Sequence, residues 1–598
     1  MSTPPSEMKF GNEMINDKRK IANYFNNFFI NSVAQISKNI PTMNDKYDKY
    51  LPEPVVNSMF IDYVEPYDIR AAINTIKPKT STGYDNISSK ILKLSSEYII
   101  NPLTHIVNIS FNSGTMPEGT KIAKIIPIFK NGDPNIASNY RPVSILPAFS
   151  KILEKVMYTK VIQYLNKNNI LYSHQYGFRS KHNTIHPIIH FLDHCAKANS
   201  SKTTQFTLAL FCDLSKAFDV IDHDILLHKL SIYGIRGVVL EWFKSYLGNR
   251  KQFVQFCNHK SPFSEITHGV PQGSILGPLL FLLYINDISF SKHLNILSFA
   301  DDTTMFMSSD SLQSLFREAN ANIDALYKWF SANKLFLNAK KTKYMIISPP
   351  NKPISTQTFF LTIDGAKIDR ISNESKEKSV KFLGIMLDEH LSWRYHIDYI
   401  SSKMSRSLFS IKQMKNTLPH TCLINLYNAL IHPYINYGLQ IWGNARQKYL
   451  NKIFRLQKRA MRIASNAAYN SHTEPIFKCN RVLKVHELYE YQVLLFMNDF
   501  RNNLLPISFK NIFQLNQEKI TSRSTRQSTL FHIPKSKNNF GNILPKSNYP
   551  KKWNKWYNQI VKINSKQVLK TFLKSTMLSE YSSEITCTHL RCRDCYPI

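Results

Sequence analysis

The chain has 598 residues, more than one hydrophobic core usually organises, so roughly two to four domains or subdomains are expected. With 43% apolar and 12% aromatic residues against only 17 glycines and 28 prolines, it is neither disordered nor fibrous. Its 76 Lys plus Arg against 42 Asp plus Glu leave a formal charge of +34, a field that attracts polyanions and makes nucleic acid the leading partner.

The first ten residues contain no apolar stretch of the secretory kind. The longest strongly apolar run, Gly277 to Ile285, is far shorter than the roughly 20 residues of a membrane-spanning helix. These features predict a soluble intracellular protein with no membrane partner. Five scattered cysteines, Cys195, Cys212, Cys257, Cys422 and Cys479, fit reduced thiols rather than a disulfide framework.

Along residues 15–38, Ile21, Phe25, Phe28, Phe29, Val33 and Ile36 share one stripe, which predicts an amphipathic helix that must dock on something. A Pro-containing stretch and a second helical pattern lead to the turn-rich Lys77-Pro-Lys-Thr-Ser-Thr-Gly-Tyr-Asp85, either a plain surface loop or a holder of a backbone phosphate. Residues 150–166 predict a helix through Leu153, Val156, Met157, Val161 and Leu165. Phe206 to Leu214 predicts a buried strand carrying Asp213 at its end. A helical stretch over 224–247 follows, then a loop with Gly269, Pro271, Gly273, Gly277 and Pro278, then an apolar segment to Ile288.

Leu294 to Phe306 reads as strand, turn, strand with Asp301 and Asp302 at the turn, and residues 311–330 as an amphipathic helix. From about Lys403 the pattern is helical and increasingly basic, including the run Lys458 to Arg462. Beyond about Lys510 apolar density falls, and little ordered structure is expected. Residues 501–598 hold 17 Lys/Arg against 4 Asp/Glu. Trp553 and Trp556, set among Lys551, Lys552 and Lys555, fit either phosphate contacts with base stacking or two buried rings under a solvated basic surface. Cys587, His589, Cys592 and Cys595 are zinc-type ligands, but their spacing does not match a two-plus-two knuckle, so unligated thiols are expected.

Carboxylates that hold two divalent cations roughly 3.5–4 Å apart can activate a hydroxyl nucleophile with one and clamp a polyphosphate with the other. Asp residues at rigid strand ends suit magnesium. Asp213 on one strand and Asp301 with Asp302 on a hairpin would converge if those strands are neighbours; singly, each reads as a turn former. Around them stands an ordered set: Lys-Asn-Gly-Asp133, Asn139-Tyr-Arg-Pro142, Gln175-Tyr-Gly-Phe-Arg179, Asp213-Leu-Ser-Lys-Ala-Phe-Asp219, Gly269-Val-Pro-Gln-Gly-Ser274, Phe299-Ala-Asp-Asp302, Asn338-Ala-Lys-Lys-Thr342 and Phe382-Leu-Gly384. This order resembles the successive motifs of non-LTR retrotransposon reverse transcriptases of the jockey type, over roughly residues 75–390.

The resemblance implies an α+β right-hand polymerase. It comprises an amino-terminal helical extension (1–74), fingers (75–205), a palm with an antiparallel sheet (206–390), a helical thumb-like domain (391–510) and a basic, mostly helical carboxy-terminal extension (511–598). Asp213, Asp301 and Asp302 would be the catalytic metal ligands for two Mg²⁺ ions, with Mn²⁺ as an alternative. Phe218 matches the steric gate against a ribose 2′-hydroxyl, and Arg141 a fingertip arginine on the triphosphate, with Lys130 adding charge. Gln272 and Gly273 match the loop beneath the incoming nucleotide, Lys341 a lysine that neutralises or protonates pyrophosphate, and Phe382-Leu-Gly384 the primer grip.

Expected partners are an RNA template, a DNA primer or RNA–DNA hybrid, and dNTPs, in the nucleus and/or a cytoplasmic ribonucleoprotein; the sequence does not specify an oligomeric state. Relatives commonly carry an endonuclease ahead of the polymerase. The residues before 75 leave no room for one, so a fragment or truncated copy unable to nick its own target is expected. Two other readings are a catalytically inactive nucleic-acid-binding relic, opposed by the intact three acids, and a group II intron maturase, opposed by the lack of an HNH-type Cys/His arrangement after the palm.

Overall fold

A computed structural model describes the chain except residues 1–4, 6, 12, 39–45, 201–205, 290–293, 349–353, 355–358, 519–528, 535–540, 542–543 and 583–598. Cys587, His589, Cys592 and Cys595 therefore lie outside the described residues. The architecture is mixed α/β, with two five-stranded sheets and many helices.

The first sheet has the strand order Asp369–Ile371, Lys343–Ile347, Phe206–Cys212, Asp302–Ser309, Asn295–Phe299. Only the outermost pair, Lys343–Ile347 with Asp369–Ile371, runs parallel; the other neighbours are antiparallel. Alternate side chains of a strand point to opposite faces, and the central strand uses both faces for burial. Leu208, Leu210 and Cys212 enter a core shared with the helix Leu312–Ala332, while Ala209 enters a second core shared with the helix Ile185–Ser200. A strand covered on both faces reads as a continuous apolar run, which is the signal 206–214 carries.

The first core also encloses an ion pair. Lys229 Nζ stands 2.7 Å from Asp287 Oδ1 with both side chains fully buried, and it donates to the Tyr284 carbonyl at 2.6 Å. Burial pushes the lysine down and the carboxyl up, and each opposes the other's shift.

The second sheet runs Tyr140–Ile145, Ile122–Phe129, Arg250–Phe256, His259–Lys260, with Ser264–Ile266 also on Arg250–Phe256. Ile122–Phe129 and Arg250–Phe256 pair in parallel, so the sequence range 206–390 supplies strands to both sheets. The amino-terminal helix Lys18–Lys38 docks here. Ile21, Ala22, Phe25 and Phe29 are buried with Ala123, Ile125, Val254 and Phe256, and buried Asn26 donates to Ser264 Oγ at 3.0 Å. The stretch 224–247 is two helices, His223–Ile232 and Val238–Leu247, separated at Gly234 and Gly237, which both take positive φ.

Beyond the first sheet the chain is helical: Arg394–Met414, His420–Leu430, Gln447–Ala464 and Val485–Arg501. The expectation of little order after Lys510 is overturned. Helices Pro545–Ile560 and Lys566–Ser579 pack on Val485–Arg501. Few apolar residues suffice there because they are large and helically spaced: Tyr549, Trp553, Trp556 and Ile560 are all buried. Trp553 and Trp556 are 1% and 8% exposed, and the Trp556 indole donates to Glu490 at 2.6 Å, so neither ring is open to stack on a base. Among the described residues no helix is long and apolar enough to cross a membrane.

Candidate active site

Sheet register brings the acids together. Thr303 faces Cys212 across the antiparallel pair, so the next residue at that end of each strand, Asp302 and Asp213, comes level at one sheet edge. Asp302 in turn pairs with Phe299, leaving Ala300-Asp301 as a two-residue turn. Such turns favour positive φ at their first position, usually met by Gly, Asn or Asp; here Ala300 adopts φ +56°. Gln175 holds it there. Its Oε1 accepts from Ala300 N–H at 3.0 Å and from Gly177 N–H at 2.8 Å. Gly177 presses so closely that a Cβ would lie 2.2 Å from the Ala300 nitrogen.

The three carboxylates lie within one another's field. Burial, then the charges of Asp301 and Asp213, push Asp302 up to about 6. Asp301 is raised chiefly by burial, with Asp213 adding to the rise and Arg141 opposing it. All three remain reachable from solvent: Asp213's side chain is 45% exposed, Asp302 is exposed and Asp301 half-buried. Among the described residues no three His, Cys, Asp or Glu side chains stand close enough to enclose a metal ion as they are. The donor set nevertheless fits a hard dication: carboxylate oxygens on adjacent strand ends, whose mutual repulsion a cation would relieve.

Around the acids, Lys341 Nζ stands 3.9 Å from Asp213 Oδ2. The block that carries it is anchored beside Asp213, whose N–H donates to Thr342 Oγ1 at 3.3 Å and whose carbonyl accepts from Asn338 at 2.9 Å. Arg141 lies exposed on its strand and acts on Asp301 as described. Lys130, at the end of the 122–145 hairpin, is exposed and donates its N–H to the Asn139 carbonyl at 2.8 Å; it is not brought into contact with the acids. Phe218 is half-buried, stacked on Phe281 with centroids 4.4 Å apart.

Gln272 and Gly273 are joined to the Arg141 strand, because Ser144 N–H donates to the Gln272 carbonyl at 2.8 Å. Gly273, at φ +130°, leaves no space for a side chain: a Cβ would lie 2.5 Å from the Ser144 carbonyl oxygen. The Gln272 amide donates to Asp219 Oδ1 at 2.7 Å, which ties this loop to the residue after Phe218. Behind the loop is a cavity of about 160 Å³ lined by Phe29, Val33, Lys216, Asp219 and Gln272; none of the three acids reaches it.

Sequence reasoning gave no role to Gln175, Gly177, Asp219 or Lys216. The Lys216 ammonium donates to Ser32 Oγ of the amino-terminal helix and lies 5.2 Å from the Phe28 ring centroid. Each of these residues belongs to a block that carries the family resemblance, and that was the available signal; their roles depend on side-chain contacts that spacing does not encode.

Residues 128–387 match the family model described as reverse transcriptase (RNA-dependent DNA polymerase). The chain is 28% identical over 454 residues to the RNA-directed DNA polymerase from mobile element jockey of Drosophila melanogaster, covering 74% of this chain and 48% of that one. It is 29% identical over 439 residues to the probable RNA-directed DNA polymerase from transposon BS of the same species, covering 70% and 46%. With the probable RNA-directed DNA polymerase from transposon X-element, also from D. melanogaster, it shares 24% over 461 residues, covering 75% and 48%. The chain thus carries a reverse transcriptase domain. Over its matched length it is similar to the polymerases of non-LTR, LINE-like elements of the jockey type, and it spans about half the length of the curated relatives it matches.

Proposed function

We propose that the chain is the RNA-directed DNA polymerase of a non-LTR retrotransposon, adding deoxynucleotides to a primer 3′-hydroxyl on an RNA template and releasing pyrophosphate. The observation that carries this reading is the register that sets Asp213 level with Asp302, one residue from Asp301. Asp213, Asp301 and Asp302 are assigned as metal ligands. When bound, a pair of Mg²⁺ ions, or Mn²⁺ in their place, supplies activation of the 3′-hydroxyl and neutralisation of charge on the triphosphate.

The protein's own groups position and complement. Arg141, on the strand tied to Gln272, is assigned to the triphosphate oxygens, with Lys130 adding charge. Phe218, fixed by Phe281, is assigned to close off the sugar's 2′ position, which favours deoxynucleotides. Gln272 and Gly273 floor the nucleotide seat, and Lys341 beside Asp213 is placed to neutralise the departing pyrophosphate. Catalysis of this kind is positioning and electrostatics.

We assign fingers to 75–205, palm to 206–390, a thumb-like helical domain to 391–510, an amino-terminal extension to 1–74 and a basic carboxy-terminal extension to 511–598, with Arg250–Phe256 crossing from the palm range into the finger sheet. The helical, basic region after 391 is assigned to the RNA–DNA hybrid, gripped by shape through sugars and phosphates. The setting we assign is the nucleus and/or a cytoplasmic ribonucleoprotein.

The test is primer extension by purified protein with oligo(dT) on poly(rA) and Mg²⁺. Extension is expected, and Asp302→Asn should lower it by about two orders of magnitude or more. A folded wild-type protein that extends nothing while still binding the hybrid would instead support a catalytically inactive relic.

A further inference from the structure

The hairpin Val380–Phe382 and Ile385–Leu387 pairs Phe382 with Ile385, so Leu383-Gly384 is a two-residue turn. Both residues take positive φ, +46° and +87°. That geometry prefers Asn-Gly, and a bulky side chain at its first position persists only where the surroundings hold it. The Tyr437 hydroxyl donates to the Leu383 carbonyl at 2.6 Å and lies 2.9 Å from Thr184 Oγ1. Its ring covers Gly384, where a Cβ would come within 2.9 Å of it. Next along the chain, Gly438, at φ +63°, lets the backbone approach Ile385, whose Cδ1 would lie 2.5 Å from a Cβ. The Tyr437 carbonyl is itself fixed by the buried Trp442 indole at 3.0 Å.

The residue that enters the turn faces the acids' strand: Phe382 packs on Phe211, two residues before Asp213, with ring centroids 5.5 Å apart. Tyr437 belongs to the helical region beyond residue 394, yet it is 41% exposed beside the turn. It therefore joins a strained turn, the start of the helix Ile185–Ser200 and the carboxy-terminal helices at one oxygen atom.

We propose that Tyr437 is a positioning residue for the primer end: its hydroxyl and ring fix the Leu383-Gly384 turn relative to Asp213, so that the helical region carries the turn into register with the primer 3′ terminus. The proposal rests on the polymerase reading above. A ring-retaining change, Tyr437→Phe, removes the bond to Leu383 while keeping the packing.

The experiment is equilibrium binding by fluorescence anisotropy of an RNA–DNA hybrid with a recessed DNA 3′ end, against a blunt hybrid of equal length. Wild type is expected to prefer the recessed end. Tyr437→Phe should reduce that preference about three- to tenfold, the range for one lost hydrogen bond, with blunt-hybrid affinity and melting temperature kept. Leu383→Asn, which makes the turn Asn-Gly and self-supporting, should restore the preference in the Tyr437→Phe background. An unchanged preference in Tyr437→Phe, an equal loss on both hybrids, or failure of Leu383→Asn to restore it overturns the proposal. A wild type that binds neither hybrid above single-stranded RNA would instead remove the polymerase reading, and this proposal with it.

Discussion

Gly273 has almost no conformational freedom, and it sits where the reading places the incoming nucleotide. Its φ of +130° is open only to glycine, and the Ser144 carbonyl fills the space of a side chain. Gly273→Ala should therefore destabilise the protein by about 1–3 kcal/mol and raise the KM for dNTP, as the loop and its Ser144 bond shift. Gly119→Ala is the control: nothing lies within 4 Å of its added carbon and its φ is ordinary, so melting temperature and KM should stay at wild-type values. Equal behaviour of the two variants would refute the steric account. At this scale hydrophobic pattern located the strand ends on which the candidate acids Asp213, Asp301 and Asp302 sit, while their assignment as metal ligands came from the ordered motifs around them. It did not reveal Gln175 or Asp219, whose importance lies in which amide they face across the fold.

The helix Ile185–Ser200 is a titratable element wedged between the first sheet and the carboxy-terminal helices. Its histidines recur every fourth residue on the buried side. Burial pushes His186 to about 4, His190 to about 3 and His194 to about 4. His190 packs on the His174 ring at 4.7 Å, and His194 Nε2 meets Ser308 Oγ at 2.9 Å. Because the folded values lie below the unfolded one, near 6.5, the native state stays neutral while the unfolded chain takes up protons. Their contribution is therefore complete above pH 6.5 and is lost as pH falls through the folded values. Denaturant midpoints should drop between pH 7.5 and pH 5, with each histidine contributing about 1–2 kcal/mol of the loss, and His190→Phe should flatten the slope. A slope that His190→Phe leaves unaltered would contradict this. The helix pattern itself was not singled out in the sequence, since a histidine at every fourth position reads as polar although the fold buries it.

In the whole molecule, one sheet separates two large cores, and the amino-terminal helix closes a third against the second sheet. The long elements of this plan were legible: the helices at 18–38, 148–167 and 312–332 and the strands at 206–212 and 295–309 lie where periodicity puts them. Two things were not. The strand Arg250–Phe256 joins the second sheet by parallel pairing with a segment more than a hundred residues earlier, and no local pattern encodes a partner at that distance. The packing of the carboxy-terminal helices was hidden by low apolar density, although three large rings and one aliphatic side chain at helical spacing supply the buried face of Pro545–Ile560.

That arrangement serves one claim, that Asp213, Asp301 and Asp302 together hold divalent cations. The most direct test is anomalous diffraction from crystals of the protein with an RNA–DNA primer–template, a nonhydrolysable dNTP and Mn²⁺. The account predicts manganese peaks ligated by all three carboxylates, and their loss in Asp302→Asn. Manganese bound elsewhere, or peaks that persist unchanged in Asp302→Asn, would contradict it.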